Sequence, residues 1–180
     1  GVCPTVRIVA MGVTQMMRER EPLSEFQNFL IHEFYHAFQQ DLSMEDECEK
    51  RRDMENSNTL WFVEGAAHYF ATVLTAQLNN DQNPYSEILQ IAYKGLEREP
   101  DFGLYGGGPD KAGAAALRLM VERGLLEEKA IMNGSLFHNC ARELIFDSTS
   151  PEMQDIRTSW KLIEKRGDIY VFKPEALKNG

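Results

Sequence analysis

The pattern of apolar and polar positions predicts one strand followed by a series of helices. Val6, Ile8 and Ala10 alternate with Arg7 and Val9 in a run that ends at Gly12. This pattern indicates a single short strand over residues 6–10. Ser24 and Gln27 then form a capping-box pattern, so a helix is predicted over residues 25–40. Residues 59–78 are apolar on all sides of a helix, which predicts a second helix at the centre of the fold.

Proline, glycine and capping signals predict the remaining elements. They are helices over residues 84–98, 110–124, 135–146 and 151–165, and a short strand over residues 169–172. Asn83, Asp110 and Ser150 are the predicted N-terminal caps of three of these helices, and Gly167 is predicted to end the last helix. The chain is therefore predicted to be a mainly helical α+β protein.

Composition and charge narrow the classes of function. The 180 residues suit one domain or two tightly packed lobes, and 43% hydrophobic with 26% charged residues is typical of a globular chain. Acidic residues outnumber basic ones 28 to 19, and the formal charge of −9 repels nucleic-acid phosphates and anionic lipid surfaces. The sequence has no apolar run of the length that a membrane span needs. We therefore expect neither a nucleic-acid partner nor membrane insertion.

Three further features concern the organisation of the chain. Residues 41–58 are rich in charged side chains, which predicts a solvated loop or a frayed helix that joins two helical parts. The sequence opens almost directly into the predicted strand and has no signal-peptide pattern, so we expect a fragment of a longer parent chain. The chain has three cysteines, Cys3, Cys48 and Cys140. At most one disulfide can form from them, and a Cys-based zinc knuckle is not expected.

A histidine pair in the first predicted helix is the main candidate for chemistry. The segment FLIHEFYHAFQQ places His32 and His36 four positions apart, so both imidazoles lie on one face of a helix and can share a cation. Glu33 adjoins the pair, near enough to reach a water at that cation. The opposite face carries an apolar stripe that we expect to be buried in the core. Its members are Phe26, Leu30, Phe34 and Phe38.

A carboxylate in the second predicted helix completes a ligand set. Glu64 interrupts the apolar segment WFVEGAAHYF, where an unpaired buried carboxylate would be costly and therefore needs a cation or a proton. Catalytic zinc sites of the His-His-Glu type use three protein ligands and leave a fourth position for water. His32, His36 and Glu64 are therefore predicted to bind Zn²⁺.

The two motifs together resemble the gluzincin clan of thermolysin-like zinc metallopeptidases. Members of this clan pair HExxH on one helix with a ligand glutamate on the next. The segment WFVEGAA is similar to their W-x-x-E-G-x-A pattern, and the resemblance covers about residues 24–72. It implies that His32, His36 and Glu64 bind zinc and that Glu33 is the general base and acid.

The resemblance also carries an expectation about architecture. It implies a zincin-like metallopeptidase catalytic domain. Residues 1–80 would form the lobe with the zinc helices and a reduced N-terminal sheet, and residues 81–180 a helical C-terminal lobe. Because clan members have a multi-stranded N-terminal sheet, the single predicted strand means that the sheet is truncated or is completed by a partner, such as the remainder of the parent chain.

For two supporting groups, the one that orients a ligand imidazole and the oxyanion donor, the sequence offers more than one interpretation. Four residues after the ligand glutamate, clan members usually place an Asp or Glu that orients a zinc-bound imidazole, whereas this chain has His68. His68 is interpreted as a weaker orienting group, a substrate-facing group or a core histidine. The resemblance also implies a Tyr or His beyond the ligand glutamate as the oxyanion donor, and the candidates are Tyr105 in the glycine-rich segment FGLYGGGP and then His138. For His138, a solvated surface position is the alternative.

The expected function is zinc-dependent hydrolysis of peptide bonds, as an endopeptidase acting on a protein or peptide substrate. In that mechanism a metal-activated water attacks the carbonyl and Glu33 is the general base. One alternative is a catalytically silent zinc-bearing module for peptide binding or regulation, although a purely structural zinc site has four protein ligands and no use for a base. Another alternative is a metal-free helical interaction domain, which stoichiometric zinc would exclude.

Overall fold

The protein is described here by a computed structural model that covers residues 23–45, 60–137 and 151–178. Within these ranges the chain is mainly helical and has one two-stranded antiparallel sheet, as the sequence predicts for an α+β protein. The elements in order are α1 (Leu23–Glu45), α2 (Leu60–Leu78), α3 (Pro84–Arg98), α4 (Pro109–Glu122), α5 (Glu128–Met132), the 3-10 turn η1 (Ser135–Phe137), α6 (Pro151–Ser159), β1 (Ile163–Arg166) and β2 (Ile169–Phe172).

Helix α2 forms the centre of the fold, as its uniformly apolar sequence predicts. It packs most extensively against α4 and α1. Two glycines let α2 and α4 approach closely, because a Cβ atom added to Gly65 would lie 2.5 Å from the carbonyl carbon of Gly113. A Cβ atom on Gly113 would in turn collide with the carbonyl oxygen of Trp61. The close α2–α4 contact thus fixes the helix that carries Glu64.

Hydrogen bonds between buried or half-buried groups anchor the other helices to this centre. The hydroxyl of Tyr35 on α1 donates a hydrogen bond to the carbonyl oxygen of Ile131 on α5, at 2.6 Å. Glu128 on α5 accepts hydrogen bonds from the hydroxyls of Tyr69 on α2 and Tyr85 on α3, at 2.7 and 3.1 Å. Because these bonds join α1, α2 and α3 through α5, they restrict how the helix with the histidine pair can move against α2.

The aromatic stripe of α1 is not the face that packs against the core, which overturns the prediction made from it. Phe34 is 60% exposed, and Phe26 and Leu30 are only half-buried. Tyr35 and Gln39 are the buried residues instead. The prediction was wrong because it equated the apolar face with the core face. On the face that is buried, the polar groups of Tyr35 and Gln39 have hydrogen-bond acceptors in α5 and α2.

The C-terminal region differs from the predicted long helix. Helix α6 ends at Ser159, and residues that were predicted to continue it form β1, which pairs with β2 in the register Ile163 to Phe172 and Arg166 to Ile169. Gly167 has φ of +60° and occupies the tight hairpin turn between the strands. A glycine with positive φ is what such a two-residue turn favours, so the expected helix stop is a hairpin turn. The predicted strand over residues 169–172 is confirmed.

The remaining predictions are met to different degrees. Helix α3 begins at Pro84 behind Asn83 as predicted, although the Asn83 side chain makes no capping hydrogen bond. Helix α4 is capped by Gly108, so Asp110 lies in its first turn and is not the cap. Gly124 follows the end of α4 with φ of +70°, which agrees with its predicted role as a helix stop.

Several expectations fall partly or wholly outside the described residues. Helix α1 is described from Leu23, so Ser24 lies within it, and it continues to Glu45 into the predicted connector. Of the helix predicted over residues 135–146, the described part is the 3-10 turn η1, and the short helix α5 before it was not predicted. The predicted first strand, the rest of the connector, the three cysteines and His138 lie outside the described ranges. None of the described helices is both long and apolar enough to cross a membrane.

Candidate metal centre

The two motif histidines meet Glu64 in one cluster. His32 and His36 lie one turn apart on α1, with ring centroids 4.6 Å apart and ring planes at 80°. Their Nε2 atoms are 2.9 Å apart and lie 3.2 and 3.4 Å from Oε2 of Glu64 on α2. The three residues predicted to bind zinc therefore present one atom each to a common point. Within the described ranges they are the one group of three or more His, Cys, Asp or Glu side chains close enough to hold a metal ion.

The distances and the donor atoms fit a metal site. In a tetrahedral zinc site with ligand atoms about 2.1 Å from the metal, the ligand atoms lie about 3.4 Å from each other. The observed separations of 2.9 to 3.4 Å are close to this value. Two imidazole nitrogens and one carboxylate oxygen also form a common set of catalytic zinc ligands, and they suit other divalent transition metals as well.

The Glu64 carboxylate is paired with both histidines of the cluster. Hydrogen bonds from His32 and His36 lower the pKa of Glu64 to about 2, against the effect of its partial burial. Burial opposes protonation of His36, but hydrogen bonds with Glu64 and Gln39 and the negative charges of Glu64 and Glu33 outweigh it and raise the His36 pKa. The Glu64 side chain is 30% exposed, so the carboxylate is less buried than the sequence suggests. Glu64 is therefore an ionised carboxylate near pH 7, paired with the two histidines.

Gln39 supports the cluster and was not found from the sequence. Its side-chain oxygen lies 2.8 Å from Nδ1 of His36, and its side-chain nitrogen donates to the carbonyl oxygen of Val63 at 2.9 Å. Because the amide nitrogen is used by Val63, the amide oxygen is the acceptor for an Nδ1–H of His36. In the neutral form of His36, this bond leaves Nε2 as the lone-pair nitrogen that faces the cluster. The spacing of three residues from His36 is the sequence signal for this contact.

Glu33 lies beside the cluster on α1 and is half-buried. Its negative charge is one of the causes that raise the pKa of His36, so its carboxylate acts on the site through space. This position agrees with the expected place of a base next to the ligand histidines, and its catalytic role remains a prediction.

Of the two expected oxyanion donors, the structure describes only Tyr105, which is not one of the three residues of the cluster. Tyr105 is 49% exposed, and the guanidinium carbon of Arg157 on α6 lies 5.7 Å from the centre of its ring. In the described part of the chain, the hydrogen bonds and ion pairs of the three ligand residues do not include Tyr105. His138 lies outside the described residues. Both assignments therefore remain predictions.

His68 lies in the core next to the cluster. Its ring centroid is 6.5 Å from that of His32, and its Nδ1 is 4.0 Å from Oδ2 of Asp110 in the first turn of α4. Burial lowers the pKa of His68 to about 4, although the charge of Asp110 acts in the opposite direction. His68 is therefore a neutral imidazole near pH 7. Asp110 was interpreted from the sequence only as a helix cap, and no local pattern connects it with the site.

Comparisons of the chain with family models, with curated proteins and with solved structures found no match. The geometry of the cluster and the motif resemblance are therefore the basis for a functional proposal.

Proposed function

We propose that this protein is a zinc-dependent peptidase of the gluzincin type. The observation that carries the proposal is the convergence of His32 Nε2, His36 Nε2 and Glu64 Oε2 within 3.4 Å of one another, with Glu33 beside them. Helices α1 and α2 would correspond to the two zinc-binding helices of a zincin-like catalytic domain.

His32, His36 and Glu64 would hold the metal. Zinc is favoured because two imidazoles and one carboxylate, with no fourth protein ligand from the described residues, match the ligand set of catalytic zinc peptidases. When bound, zinc supplies Lewis acidity, which polarises a substrate carbonyl and makes water a better nucleophile near neutral pH. Gln39 keeps His36 in the tautomer that this role requires.

Glu33 is assigned the proton transfers. A carboxylate next to the ligand histidines can accept a proton from attacking water and pass it to the leaving amine. The proton would therefore reside on a carboxylate oxygen of Glu33 between the two steps. A base at this position has no function in a purely structural metal site, which is the reason for preferring a peptidase over a silent zinc-bearing module.

A protein or peptide is proposed as the substrate, and cleavage within the chain is favoured. This part of the proposal rests on the motif resemblance, in which HExxH and W-x-x-E-G-x-A occur together in peptidases. The formal charge of −9 also makes a nucleic-acid substrate unfavourable.

The test combines metal analysis with hydrolysis of an unfolded protein such as reduced casein. We expect about one zinc per chain, cleavage that stops with a chelator, and recovery after zinc is added back. Glu33→Gln should keep zinc but lose about 10²- to 10⁴-fold in kcat, because the amide cannot accept the proton. Glu152→Gln, an exposed charge removal in the first turn of α6, is the matched control and should keep full activity.

The outcomes separate the competing functions. Zinc binding without hydrolysis by the wild type would favour the silent peptide-binding or regulatory module. A chain without metal would leave the helical interaction domain, and equal hydrolysis by wild type and Glu33→Gln would refute the role of Glu33.

A further inference from the structure

His68 has one ring nitrogen near a carboxylate, and its other ring nitrogen has no partner among the residues that the structure describes. Nδ1 lies 4.0 Å from Oδ2 of Asp110, and the buried Nε2 makes no hydrogen bond within residues 23–45, 60–137 and 151–178. The residue is only 9% exposed. A buried nitrogen without a hydrogen bond is unfavourable, so a histidine in this core position next to the candidate metal centre requires an explanation.

His32 has a matching need. Its Nε2 faces Glu64 and His36, so the other ring nitrogen, Nδ1, carries the proton when Nε2 acts as a ligand. Metal-bound imidazoles usually donate this second N–H to a carboxylate, a carbonyl or another acceptor. His36 has such an acceptor in Gln39. The ring of His68 also lies near that of His32, with centroids 6.5 Å apart and an interplanar angle of 67°.

We propose that Asp110 and His68 are positioning residues for His32, with Asp110 acting through His68. In this arrangement Asp110 accepts the Nδ1–H of His68, and the free Nε2 of His68 accepts the Nδ1–H of His32. An Asp or Glu at position 68 would orient the imidazole of His32 directly. In this chain the carboxylate is that of Asp110 on α4, and the imidazole of His68 lies between it and His32. The proposal rests on the proposed metal site and assigns Asp110 a function that its helix-end position alone would not suggest.

The required adjustment is small. Two imidazoles joined by one N–H···N bond of about 3.0 Å have ring centroids about 5.3 Å apart. The observed distance between the His32 and His68 centroids is 6.5 Å. Side-chain rotations that bring the rings about 1 Å closer would make the bond, and the Asp110 contact needs a similar shortening to reach hydrogen-bond length. The Asp110 side chain is 30% exposed, and the residue lies in the first turn of α4. A change of its side-chain rotamer can therefore shorten the contact.

The tautomer of His68 is the element of the proposal that can be measured directly. An imidazole that bridges a donor and a carboxylate must carry its proton on Nδ1 and be unprotonated on Nε2. The low pKa of about 4 means that His68 is neutral, so it has one proton to place. Nitrogen-15 spectra of the zinc-loaded protein distinguish the two tautomers. We expect His68 as the Nδ1–H form, and a coupling across the hydrogen bond from Nδ1 of His32 to Nε2 of His68.

The second test is zinc affinity, measured by competition with a chromophoric chelator. Asp110→Asn should weaken zinc binding about 10-fold or more, as is usual for loss of a group that supports a metal ligand. Glu152→Gln removes a charge from the first turn of another helix and should leave the affinity unchanged. The double variant His68→Glu with Asp110→Asn places a carboxylate directly next to His32, and it should recover affinity to within about threefold of wild type.

The results separate this inference from the proposed function. Absence of zinc from the wild type would refute the proposed function and the inference with it. Zinc binding by the wild type, with unchanged affinity in Asp110→Asn or with His68 in the Nε2–H form, would refute the inference alone. If the double variant does not fold, the wild-type tautomer and the Asp110→Asn affinity still decide the question.

Discussion

Gln39 connects the ring nitrogen of His36 that faces away from the candidate metal site with the helix that carries Glu64. Its side-chain oxygen is 2.8 Å from Nδ1 of His36, and its side-chain nitrogen donates to the carbonyl of Val63, the residue before Glu64, at 2.9 Å. One side chain thus bonds to a proposed metal ligand and joins the two helices that carry all three proposed ligands.

The first prediction concerns this side chain. Gln39→Ala should lower zinc affinity about 10- to 100-fold, because His36 loses its acceptor and the two helices lose a bond. Gln77→Ala at the exposed end of α2 is the matched control and should bind zinc like the wild type. Affinity is measured by chelator competition at a temperature where circular dichroism shows both variants folded. Unchanged affinity in folded Gln39→Ala would show that Gln39 does not support the ligand.

The second prediction concerns the contact between α2 and α4. Gly113→Ala should destabilise the fold by about 1 to 3 kcal/mol, since its Cβ collides with the backbone of Trp61 and the helices must separate. Gly103→Ala is the control, because a Cβ atom there meets nothing within 4 Å. Urea unfolding of the two variants measures the difference. Equal stability would mean that the α2–α4 distance is not fixed by these glycines.

The third prediction is the pH dependence of the metal-free protein. The folded pKa of Glu64 is about 2, below its ordinary 4.5, so its stabilisation is present above pH 4.5 and is lost as the pH falls towards 2. The folded pKa of His36 is above 6.5, so its stabilisation is present below pH 6.5 and is lost as the pH rises through the raised value. The two contributions coexist between about pH 4.5 and 6.5.

Glu64→Gln should therefore lower the melting temperature of the chelator-treated protein by a few degrees near pH 5.5 and by less near pH 8.5. Thermal unfolding of wild type and variant at both pH values, in the presence of chelator, provides the measurement. A difference that is the same at both pH values would contradict the charge coupling between Glu64 and His36.

The fourth prediction concerns Tyr105. If its hydroxyl stabilises the oxyanion, Tyr105→Phe should lower kcat about 100-fold while zinc content and KM stay nearly constant. The variant keeps the aromatic ring next to Arg157, so the fold should not change. Activity equal to that of the wild type would exclude Tyr105 as the oxyanion donor. A substitution of His138 would then be measured in the same way.

The sequence predicted those features that depend on local spacing. His32 and His36 share a face because four residues make about one helical turn, and the central position of α2 follows from its uniformly apolar composition. Glu64 could be assigned because a carboxylate in that environment requires a partner. These three residues are the part of the candidate site that the structure brings together as predicted.

Features that depend on contacts between distant segments could not be predicted. The buried face of α1 is set by what α2 offers, so the apolar stripe with Phe34 was assigned to the wrong side. The strand β1 forms because β2 is available to pair with it, which no local signal around Lys165 shows. Asp110 reaches His68 from another helix, 42 positions further along the chain, and was therefore read only as a cap.

The zinc content of the purified protein, measured by elemental mass spectrometry for wild type and Glu64→Ala, tests the proposed metal site most directly. We expect about one zinc per wild-type chain after expression with zinc, and a large loss of zinc in Glu64→Ala, because two histidines alone hold the ion weakly. Wild-type protein that is folded but free of zinc, or a Glu64→Ala variant that holds as much zinc as the wild type, would contradict the proposed metal site.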